Sequence, residues 1–381
     1  WQILVEKYIA SYYSDLKLLG VAKADYEPRA TENIPDMVKY IKTLVDKGLA
    51  YPRAGDVYFD VRKFSGYGKL SGQSIDQMHT GVRIEVAQSK NDPLDFALWK
   101  SSKPGEPSWP SPWGQGRPGW HIECSVMSQK FLKTQTLDIH AGGRDLIFPH
   151  HENELAQSES FTGKLFAKYW IHHGLLTINS QKMSKSLGNF ITISDFITKY
   201  QNADLLKLFF LSAHYAHPID YSEAKIEEAK QAWQRIAIFR DKAKLIKPGF
   251  LGLFLKKPPQ EIAEIKNKFL AALDDDFNTP EALACVFELV NMANKHIGEA
   301  SFVLSAQAAL KEMLKVLGIT LSPGKSKTGI GEAEIKQAIQ NRMDAKRNKD
   351  YALADKIRKE LEAKGIILED TKDGTTTYRK T

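Results

Sequence analysis

Cysteine is scarce in this sequence of 381 residues, which contains only Cys124 and Cys285. Two cysteines cannot build the disulfide framework of a small secreted domain, so we expect a reducing compartment, the cytoplasm. Long apolar runs are also lacking, because no stretch approaches the roughly 18 apolar residues that predict a membrane span. The first residues show no signal-peptide pattern. These absences argue against a secreted, disulfide-stabilised protein and against a membrane partner.

What the sequence does contain is typical of globular proteins, with 43% hydrophobic and 26% charged residues. A chain of this length exceeds the size at which one hydrophobic core keeps growing, so several packed units are expected. The net charge of +7 favours a polyanionic partner. Charge alone leaves nucleic-acid binding and an enzyme that binds no nucleic acid as equal alternatives.

The first third of the chain mixes helical and strand-like segments. Apolar residues at helical spacing predict a helix already in progress at Trp1, which suggests a missing N-terminal segment. Residues 37–48 predict a second helix that ends at Gly48, and residues 57–59 predict a strand. From residue 103 to 120, proline and glycine are so frequent that regular structure is not expected there.

The middle of the chain has the order of a nucleotide-binding α/β domain. A strand at residues 136–140 precedes a turn at Gly142 and Gly143, and a helix is expected to begin near His150. A second strand is expected at residues 174–178. Ligand chemistry is therefore expected at the glycine turn.

Helical periodicity dominates from residue 203 to about 317 and predicts a bundle, in which Asn278 is expected to cap a helix that begins with Pro280 nearby. Residues 322–331 are rich in proline, glycine, serine and lysine and predict a linker. The last 50 or so residues predict two helices and a hairpin that turns at Asp373-Gly374.

Three side chains could share a metal ion. Cys124 offers a soft thiolate, and His150 and Glu154 lie at i and i+4, on the same face of a helix. On spacing alone, a surface or capping pair is the more common explanation of a His-Glu pair. The metal site therefore needs support from its context.

The segment from His140 to Asp145 places glycines where a backbone could approach a ligand closely, and Asp145 could bind a ribose. The alternative is a tight turn in which Asp145 caps the following helix.

The loop from Lys182 to Ser186 crowds two lysines and two hydroxyls, which suits a triphosphate. Its alternative is a solvated basic loop.

Four segments together resemble cysteinyl-tRNA synthetases, a family of class I aminoacyl-tRNA synthetases. They are GRPGWHIECS at 116–125, HAGGRDLIFPHHENE at 140–154, KMSKSLGN at 182–189 and DDDFNTPEA at 274–282. The resemblance implies an α/β fold: a Rossmann-type nucleotide-binding domain with an inserted connective module, then a helical bundle and a small C-terminal α+β anticodon-binding domain.

The same resemblance implies a division of the chain into seven segments. These are a remnant of the first half of the Rossmann domain (1–24), the connective insertion (25–112), the second half of the catalytic domain (113–178), the KMSKS loop with a stem-contact region (179–229), the bundle (230–321), the linker (322–331) and the anticodon-binding domain (332–381).

The resemblance also implies the activity and the residues that perform it. L-cysteine would be activated with ATP and transferred to the 3′ end of tRNA(Cys), with one zinc ion per chain, Mg²⁺ beside ATP, and a monomeric enzyme. The implied zinc ligands are Cys124, His150 and Glu154. The implied ATP-binding residues are Gly143, Asp145, Lys182, Met183, Ser184, Lys185 and Ser186, with Lys185 also catalytic. Trp120 and His140 would line the cysteine pocket, and Arg342, Lys346, Arg347 and Arg358 would meet the tRNA.

The sequence departs from the family pattern, since it contains neither an upstream zinc cysteine nor a His-x-Gly-His motif. Two other functions therefore stay open: a non-catalytic tRNA-binding relative or fragment, and a cysteine ligase of the mycothiol pathway. Three features are interpreted as structural. The acids Asp274–Asp276 are expected to favour a helix dipole, Cys285 to lie in a core, and His151 to form a hydrogen bond rather than to bind the metal.

Overall fold

The computed structural model describes residues 1–75, 90–183, 188–246, 258–321, 332–370 and 376–380. The chain divides into two compact units. The first, called here the catalytic unit, comprises Lys23–Lys182 and Ala213–Tyr221. The second, called here the helical unit, comprises Trp1–Ala22, Met183–Ser212 and Ser222–Thr381.

The regular elements follow the chain in this order. The α-helices are α1 (Gln2–Leu19), α2 (Ile34–Asp46), α3 (Trp120–Leu132), α4 (Glu152–Thr162), α5 (Ile193–Tyr200), α6 (Ala203–Leu211), α7 (Glu223–Lys244), α8 (Gln260–Asp274), α9 (Thr279–Lys295), α10 (Ala300–Val316), α11 (Glu332–Arg347) and α12 (Tyr351–Ala363). The strands are β1 (Ala50–Arg53), β2 (Asp56–Phe59), β3 (Phe96–Ser101), β4 (Gly116–Pro118), β5 (Leu137–Gly143), β6 (Ala167–His173), β7 (Leu176–Ile178), β8 (Gln181–Lys182), β9 (Ile219–Tyr221), β10 (Ile366–Asp370) and β11 (Thr376–Lys380). No α-helix among the described residues is both long and apolar enough to cross a bilayer.

An antiparallel sheet in the order β1-β2-β3-β4 forms one part of the catalytic unit. Helix α2 packs its apolar face on this sheet, and Met37, Ile41 and Leu44 are completely buried. The helix and strand predicted at residues 37–48 and 57–59 are confirmed as α2 and β2. The helix ends where predicted, because Gly48 adopts a positive φ of 70°.

The proline- and glycine-rich segment contains a short strand, so the expectation of no regular structure there was wrong at its end. Strand β4 pairs with β3 in the register Trp99–Pro118. A Cβ atom at Gly116 would overlap the Lys100 carbonyl and the Trp99 ring. Glycine thus allows the close approach, and β4 is an edge strand, where proline is tolerated.

The parallel pair β5 and β6 forms the predicted nucleotide-binding part of the same unit. The connection from β5 runs through a 3₁₀ turn (Arg144–Leu146) and a π-helical turn (Ile147–His151) into α4. Buried Leu137, Leu155 and Phe166 hold the strands against α4. The predicted order of strand, turn and helix is confirmed, but the glycines lie within the end of β5 and His150 precedes the regular helix.

A third, small sheet has the order β8-β7-β9, with β7 parallel to β9 and antiparallel to β8. Strand β7 is the strand predicted at residues 174–178. The sheet brings the backbone of Lys182, the first residue of the predicted ATP loop, beside Thr177.

The helical unit contains the predicted bundle. Phe269 of α8, Leu289 of α9 and Leu310 of α10 are nearly or fully buried. The Asn278 side chain accepts a hydrogen bond from the Glu281 backbone N–H, which confirms the predicted helix cap. Buried Asp204 of α6 accepts from the Leu321 backbone N–H at 2.7 Å and so ties α6 to the residues that follow α10.

The C-terminal part of this unit has the predicted two helices and hairpin. Its core consists of Ile335, Ile339, Leu361, Ile366 and Leu368, from α11, α12 and β10. Strands β10 and β11 pair antiparallel. The predicted linker and the Asp373-Gly374 turn lie outside the described residues. The seven predicted domain boundaries stay a prediction.

Candidate active site

Cys124, His150 and Glu154 lie close together in the catalytic unit, and their ligand atoms are all within 4.8 Å of one another. The Sγ atom of Cys124 is 3.8 Å from Nε2 of His150. That nitrogen is 2.6 Å from Oε1 of Glu154. One sulfur, one nitrogen and one oxygen therefore converge from α3, the π-helical turn and α4, a donor set that zinc accepts.

Local structure explains how these three side chains meet. Helix α3 begins directly after Gly119, where a Cβ atom would overlap the carbonyl of Ala97, so the lack of a side chain lets α3 start against β3. Cys124 lies just over one helical turn into α3. His150 and Glu154 are one turn apart across the junction of the π-helical turn and α4. Both are buried, with Glu154 fully inaccessible.

The Glu154 carboxylate is a buried charge in need of a counter-charge. Its two oxygens lie 2.6 Å from Nε2 of His150 and of His140, yet neither contact has the angle of a proper hydrogen bond. Burial raises the pKa of Glu154, but His140 and His150 outweigh burial and lower that pKa to about 2. An ionised, buried carboxylate without a proper donor suits a cation, so the residues present fit a metal ion.

The Cys124 thiol is in the opposite electrostatic situation. Burial raises its pKa well above the usual range, and the negative charge of Glu154 raises it further. A thiolate at this position therefore requires a nearby cation, since a coordinated thiol loses its proton outright.

A second group of possible ligands shares Glu154. The ligand atoms of His140, His151 and Glu154 also lie within 4.8 Å of one another. His151 forms the expected hydrogen bond, from Nδ1 to Nε2 of His172 at 2.8 Å. This group has no sulfur, whereas the group with Cys124 has the softer donor that favours zinc. Which group binds a metal ion stays a prediction.

The two residues predicted to line a cysteine pocket touch the predicted ligands. Trp120 is 58% exposed and stacks on His150 with ring centroids 4.2 Å apart. His140 contacts Glu154 on one side and the edge of Trp170 on the other, at 4.9 Å between centroids. An open, aromatic wall thus borders the candidate metal ligands.

The glycines of β5 allow two close approaches. A Cβ atom at Gly143 would overlap the carboxylate of Asp145, which is itself exposed. A Cβ atom at Gly142 would lie 2.7 Å from the His151 ring. The predicted adenosine residues Gly143 and Asp145 therefore lie side by side at the carboxyl end of a parallel strand, where α/β folds bind ligands.

The predicted ATP loop is described only at its start. The backbone of Lys182 belongs to β8, and Met183 is partly buried. Ser184, Lys185 and Ser186, including the predicted catalytic lysine, lie outside the described residues.

The sequence reasoning missed two side chains near the ligands, the partly buried His121 and the buried Glu152. His121 meets His150 at 2.9 Å between their Nδ1 atoms. Glu152 accepts hydrogen bonds from the backbone N–H groups of Gly68 at 2.9 Å and Ser71 at 2.8 Å. No local signal identified them, because the partners of both side chains lie far away along the chain.

The predicted tRNA residues have different surroundings. Arg342 is 3% exposed and donates two hydrogen bonds to Asp370, at 2.8 and 3.0 Å. The guanidinium is thus buried and paired within the protein. A contact between Arg342 and tRNA stays a prediction. Lys346 also pairs with Asp370, whereas Arg347 and Arg358 are exposed.

Cys285 is buried in α9, as expected.

Comparisons with known proteins identify the family of the chain. Residues 1–231 match the model of the tRNA synthetases class I (C) catalytic domain, and residues 268–322 match the DALR domain. The chain is 48% identical over 386 residues to a cysteine–tRNA ligase of Geobacillus thermodenitrificans, an alignment that covers 99% of this chain and 80% of the relative. The chain belongs to the cysteine–tRNA ligase family. The predicted family, enzyme class and fold class are thereby confirmed.

Other relatives agree with membership of the cysteine–tRNA ligase family. A cysteine–tRNA ligase of Clostridioides difficile is 46% identical over 377 residues, which cover 98% of this chain and 81% of the relative. Among solved structures, a methionyl-tRNA synthetase of Mycobacterium tuberculosis bound by methionyl-adenylate matches with a TM-score of 0.57. That match covers 83% of this chain and 79% of the other at 13% identity, so it shows the shared fold alone.

Proposed function

We propose that this cysteine–tRNA ligase family member activates L-cysteine with ATP and transfers it to the 3′ end of tRNA(Cys), with a zinc ion selecting the substrate thiol. The observation that carries the zinc assignment is the convergence, within 4.8 Å, of the partly buried Cys124 with the buried His150 and Glu154. A zinc ion held there would supply a soft Lewis acid that prefers the sulfur of cysteine to the hydroxyl of serine.

The shape of the pocket is not sufficient for this selection. Cysteine and serine are nearly the same size, so walls such as Trp120 and His140 discriminate poorly between them. Rejection of serine by a factor of about 10⁴ to 10⁵ corresponds to about 5 to 7 kcal/mol. The buried ligand set supports a chemical rather than a steric mechanism of selection.

The other residues of the site would bind and orient the nucleotide. Gly143 and Asp145 would hold the adenosine, and the loop from Lys182 to Ser186 would bind the phosphates, with Mg²⁺ beside them. The cysteine carboxylate attacks the α-phosphate, and Lys185 would balance the charge of the departing pyrophosphate. No protein nucleophile is required, so catalysis would consist of positioning and charge stabilisation.

The tRNA would be bound outside the adenylation site. The DALR domain match at residues 268–322 supports a tRNA-binding role for the bundle. Exposed Arg347 and Arg358, with Lys346, would add phosphate contacts from the C-terminal helices. The seven segments inferred from the sequence, and a monomeric state, belong to this proposal.

Pyrophosphate exchange tests the proposal. The full-length protein should exchange labelled pyrophosphate into ATP with cysteine and not with serine, and it should contain one zinc ion per chain. Cys124→Ala should lose the zinc ion, whereas Cys285→Ala, the same substitution in a core of the helical unit, should keep it. Unchanged zinc in Cys124→Ala would refute the proposed ligand.

The same assay separates the alternatives. A non-catalytic tRNA-binding relative would bind tRNA without any exchange. A mycothiol-type ligase would exchange pyrophosphate with cysteine but would transfer the cysteine to an amino sugar and leave tRNA(Cys) uncharged. Cysteine-dependent exchange followed by charging of tRNA(Cys) is the outcome that we expect.

A further inference from the structure

The imidazole rings of His121 and His150 approach each other through their Nδ1 atoms. Their Nδ1 atoms are 2.9 Å apart, which is a hydrogen-bond distance. Such a bond needs one nitrogen that carries a proton and one that presents a lone pair. The pair therefore has two arrangements, which differ in the ring that donates.

Which of the two arrangements forms decides whether the Nε2 atom of His150 presents a lone pair or a proton to Cys124 and Glu154. If His150 donates from Nδ1, its Nε2 presents a lone pair, and this atom lies 3.8 Å from the Cys124 sulfur and 2.6 Å from a Glu154 oxygen. If His121 donates instead, a neutral His150 carries its proton on Nε2 and cannot bind a metal ion through that atom.

We propose that His121 is a positioning residue that accepts the Nδ1 proton of His150 and so keeps the Nε2 atom of His150 free to bind the metal ion. The inference rests on the zinc site of the proposed function and goes beyond it, because His121 binds neither metal nor substrate itself. Histidine ligands in metalloproteins commonly donate their second ring N–H in this way, although usually to an oxygen.

The surroundings of His121 hold it in place for this role. Its backbone carbonyl accepts a hydrogen bond from Gln157 Nε2 at 2.6 Å, and Gln157 also donates to Ser125 Oγ at 2.6 Å. These buried bonds join α3 to α4. The His121 ring packs edge-on against Phe96 with centroids 5.5 Å apart.

His150 is confined as well, so neither imidazole of the pair can rotate freely. The Trp120 ring stacks on one face of His150. Its Nε2 edge is occupied by Glu154 and Cys124. The hydrogen bond to His121 is therefore the contact that selects the tautomer of a ring whose orientation is already set.

A second histidine pair supplies an internal control. His151 and His172 lie 2.8 Å apart, between Nδ1 and Nε2. His151 belongs to the ligand group without sulfur. If that group bound the metal ion, His172 rather than His121 would be the supporting residue.

The experiment compares three variants of the whole chain by their zinc dissociation constants, measured by competition with a chelator. His121→Phe keeps a ring for packing but cannot accept a proton, and we expect zinc binding to weaken by about 10- to 100-fold. His121→Asn keeps an acceptor while it loses the ring, and it should bind zinc nearly as well as the unmodified chain. His172→Phe should bind zinc unchanged. In the Co²⁺-substituted protein, the absorption of the thiolate–cobalt bond should weaken in His121→Phe alone.

Each other outcome counts against the inference. Normal zinc affinity in His121→Phe would overturn the inference. So would weaker zinc binding in His121→Asn together with normal binding in His121→Phe, because this result would show that the ring of residue 121 acts by packing rather than by accepting a proton. Weaker zinc binding in His172→Phe alone would show that the metal ion binds to the group that contains His151. If the unmodified chain bound no zinc, the zinc site of the proposed function would itself fail. Should His121→Phe not fold, ¹⁵N NMR of the zinc-bound, unmodified chain still decides, because a proton on Nε2 of His150 would refute the proposal.

Discussion

Oε1 of Glu154 lies 2.6 Å from Nε2 of His150, one helical turn earlier in the chain. The contact joins a fully buried carboxylate to a buried imidazole, and its angle is not that of a hydrogen bond. Nothing else among the described residues donates to this carboxylate in proper geometry. A cation bound by both groups would satisfy both, which ties the charge of Glu154 to metal binding.

Replacement of Glu154 by glutamine tests this link. Glu154→Gln keeps the size of the side chain but removes its charge, so we expect loss of the bound zinc and a fall of about 10²-fold or more in the rate of cysteine activation. Metal analysis and pyrophosphate exchange measure the two effects. The control is Glu159→Gln on the same helix, which removes the charge paired with Lys69 but keeps an oxygen that can accept from the Phe166 backbone N–H. Full zinc content in Glu154→Gln would contradict the assignment.

Glu152 is predicted to stabilise the catalytic unit rather than to act in the reaction. Its carboxylate accepts the backbone N–H groups of Gly68 and Ser71 and thereby fastens that loop to α4. Glu152→Ala leaves these donors without a partner, so we expect a loss of about 2 to 3 kcal/mol in the free energy of unfolding. Urea unfolding followed by tryptophan fluorescence measures it. Glu106→Ala removes an ion pair with Arg117 at 3.7 Å and an exposed hydrogen bond from the Lys103 backbone N–H, and it should change stability little because water can replace both.

The pair formed by Arg342 and Asp370 is predicted to hold the C-terminal helices and hairpin together. Asp370→Asn would leave a buried guanidinium without its counter-charge. We expect a loss of about 2 kcal/mol, less than for a fully buried pair because the Asp370 side chain is 44% exposed. Faster hydrogen exchange of the β10 amides would report this loss. Unchanged exchange would show that the pair contributes nothing.

Acid should weaken the same part of the chain. The hydrogen bonds from Arg342, and then from Lys346, hold the pKa of Asp370 well below its usual range. A carboxyl group with a lowered folded-state pKa contributes stability that is complete above its unfolded pKa of about 4 and is lost as the pH falls through the lower, folded value. Protection of the β10 amides against hydrogen exchange should therefore decline below about pH 4. In Asp370→Asn this part of the pH dependence should vanish.

Arg347 and Arg358 are predicted to contact tRNA phosphates. The double variant Arg347→Gln, Arg358→Gln should bind tRNA(Cys) more weakly and should lower the slope of log K against log salt by about 0.7 to 0.9 for each phosphate that is no longer neutralised. Cysteine activation, which needs no tRNA, should not change. The double variant Lys42→Gln, Lys168→Gln removes two lysines that are paired with acids in the catalytic unit and serves as the control. Equal salt slopes would contradict the prediction.

Much of the fold could be predicted because the signals are local. The strand at 57–59, the cap at Asn278 and the strand, turn and helix around Gly142 depend on side chains within a few positions of one another. The short strand at Gly116–Pro118 could not be predicted from the sequence, because its pairing with β3 depends on residues more than ten positions away. The kinked turn before Glu152 was also missed, because its break at Phe148, whose backbone is extended, leaves no periodic signal in the sequence.

By itself, the sequence determined the family, through motifs such as KMSKS at 182–186, and named Cys124, His150 and Glu154 as candidates for one metal ion. Only the tertiary structure showed that Arg342 is an interior residue, that His121 meets His150, and that Glu152 accepts hydrogen bonds from Gly68 and Ser71. It also added a competing group of His140, His151 and Glu154. The physical reason is that buried polar groups choose partners across packed elements. His121 meets His150 29 positions away, and Glu152 meets Gly68 84 positions away, distances at which periodicity and spacing carry no information.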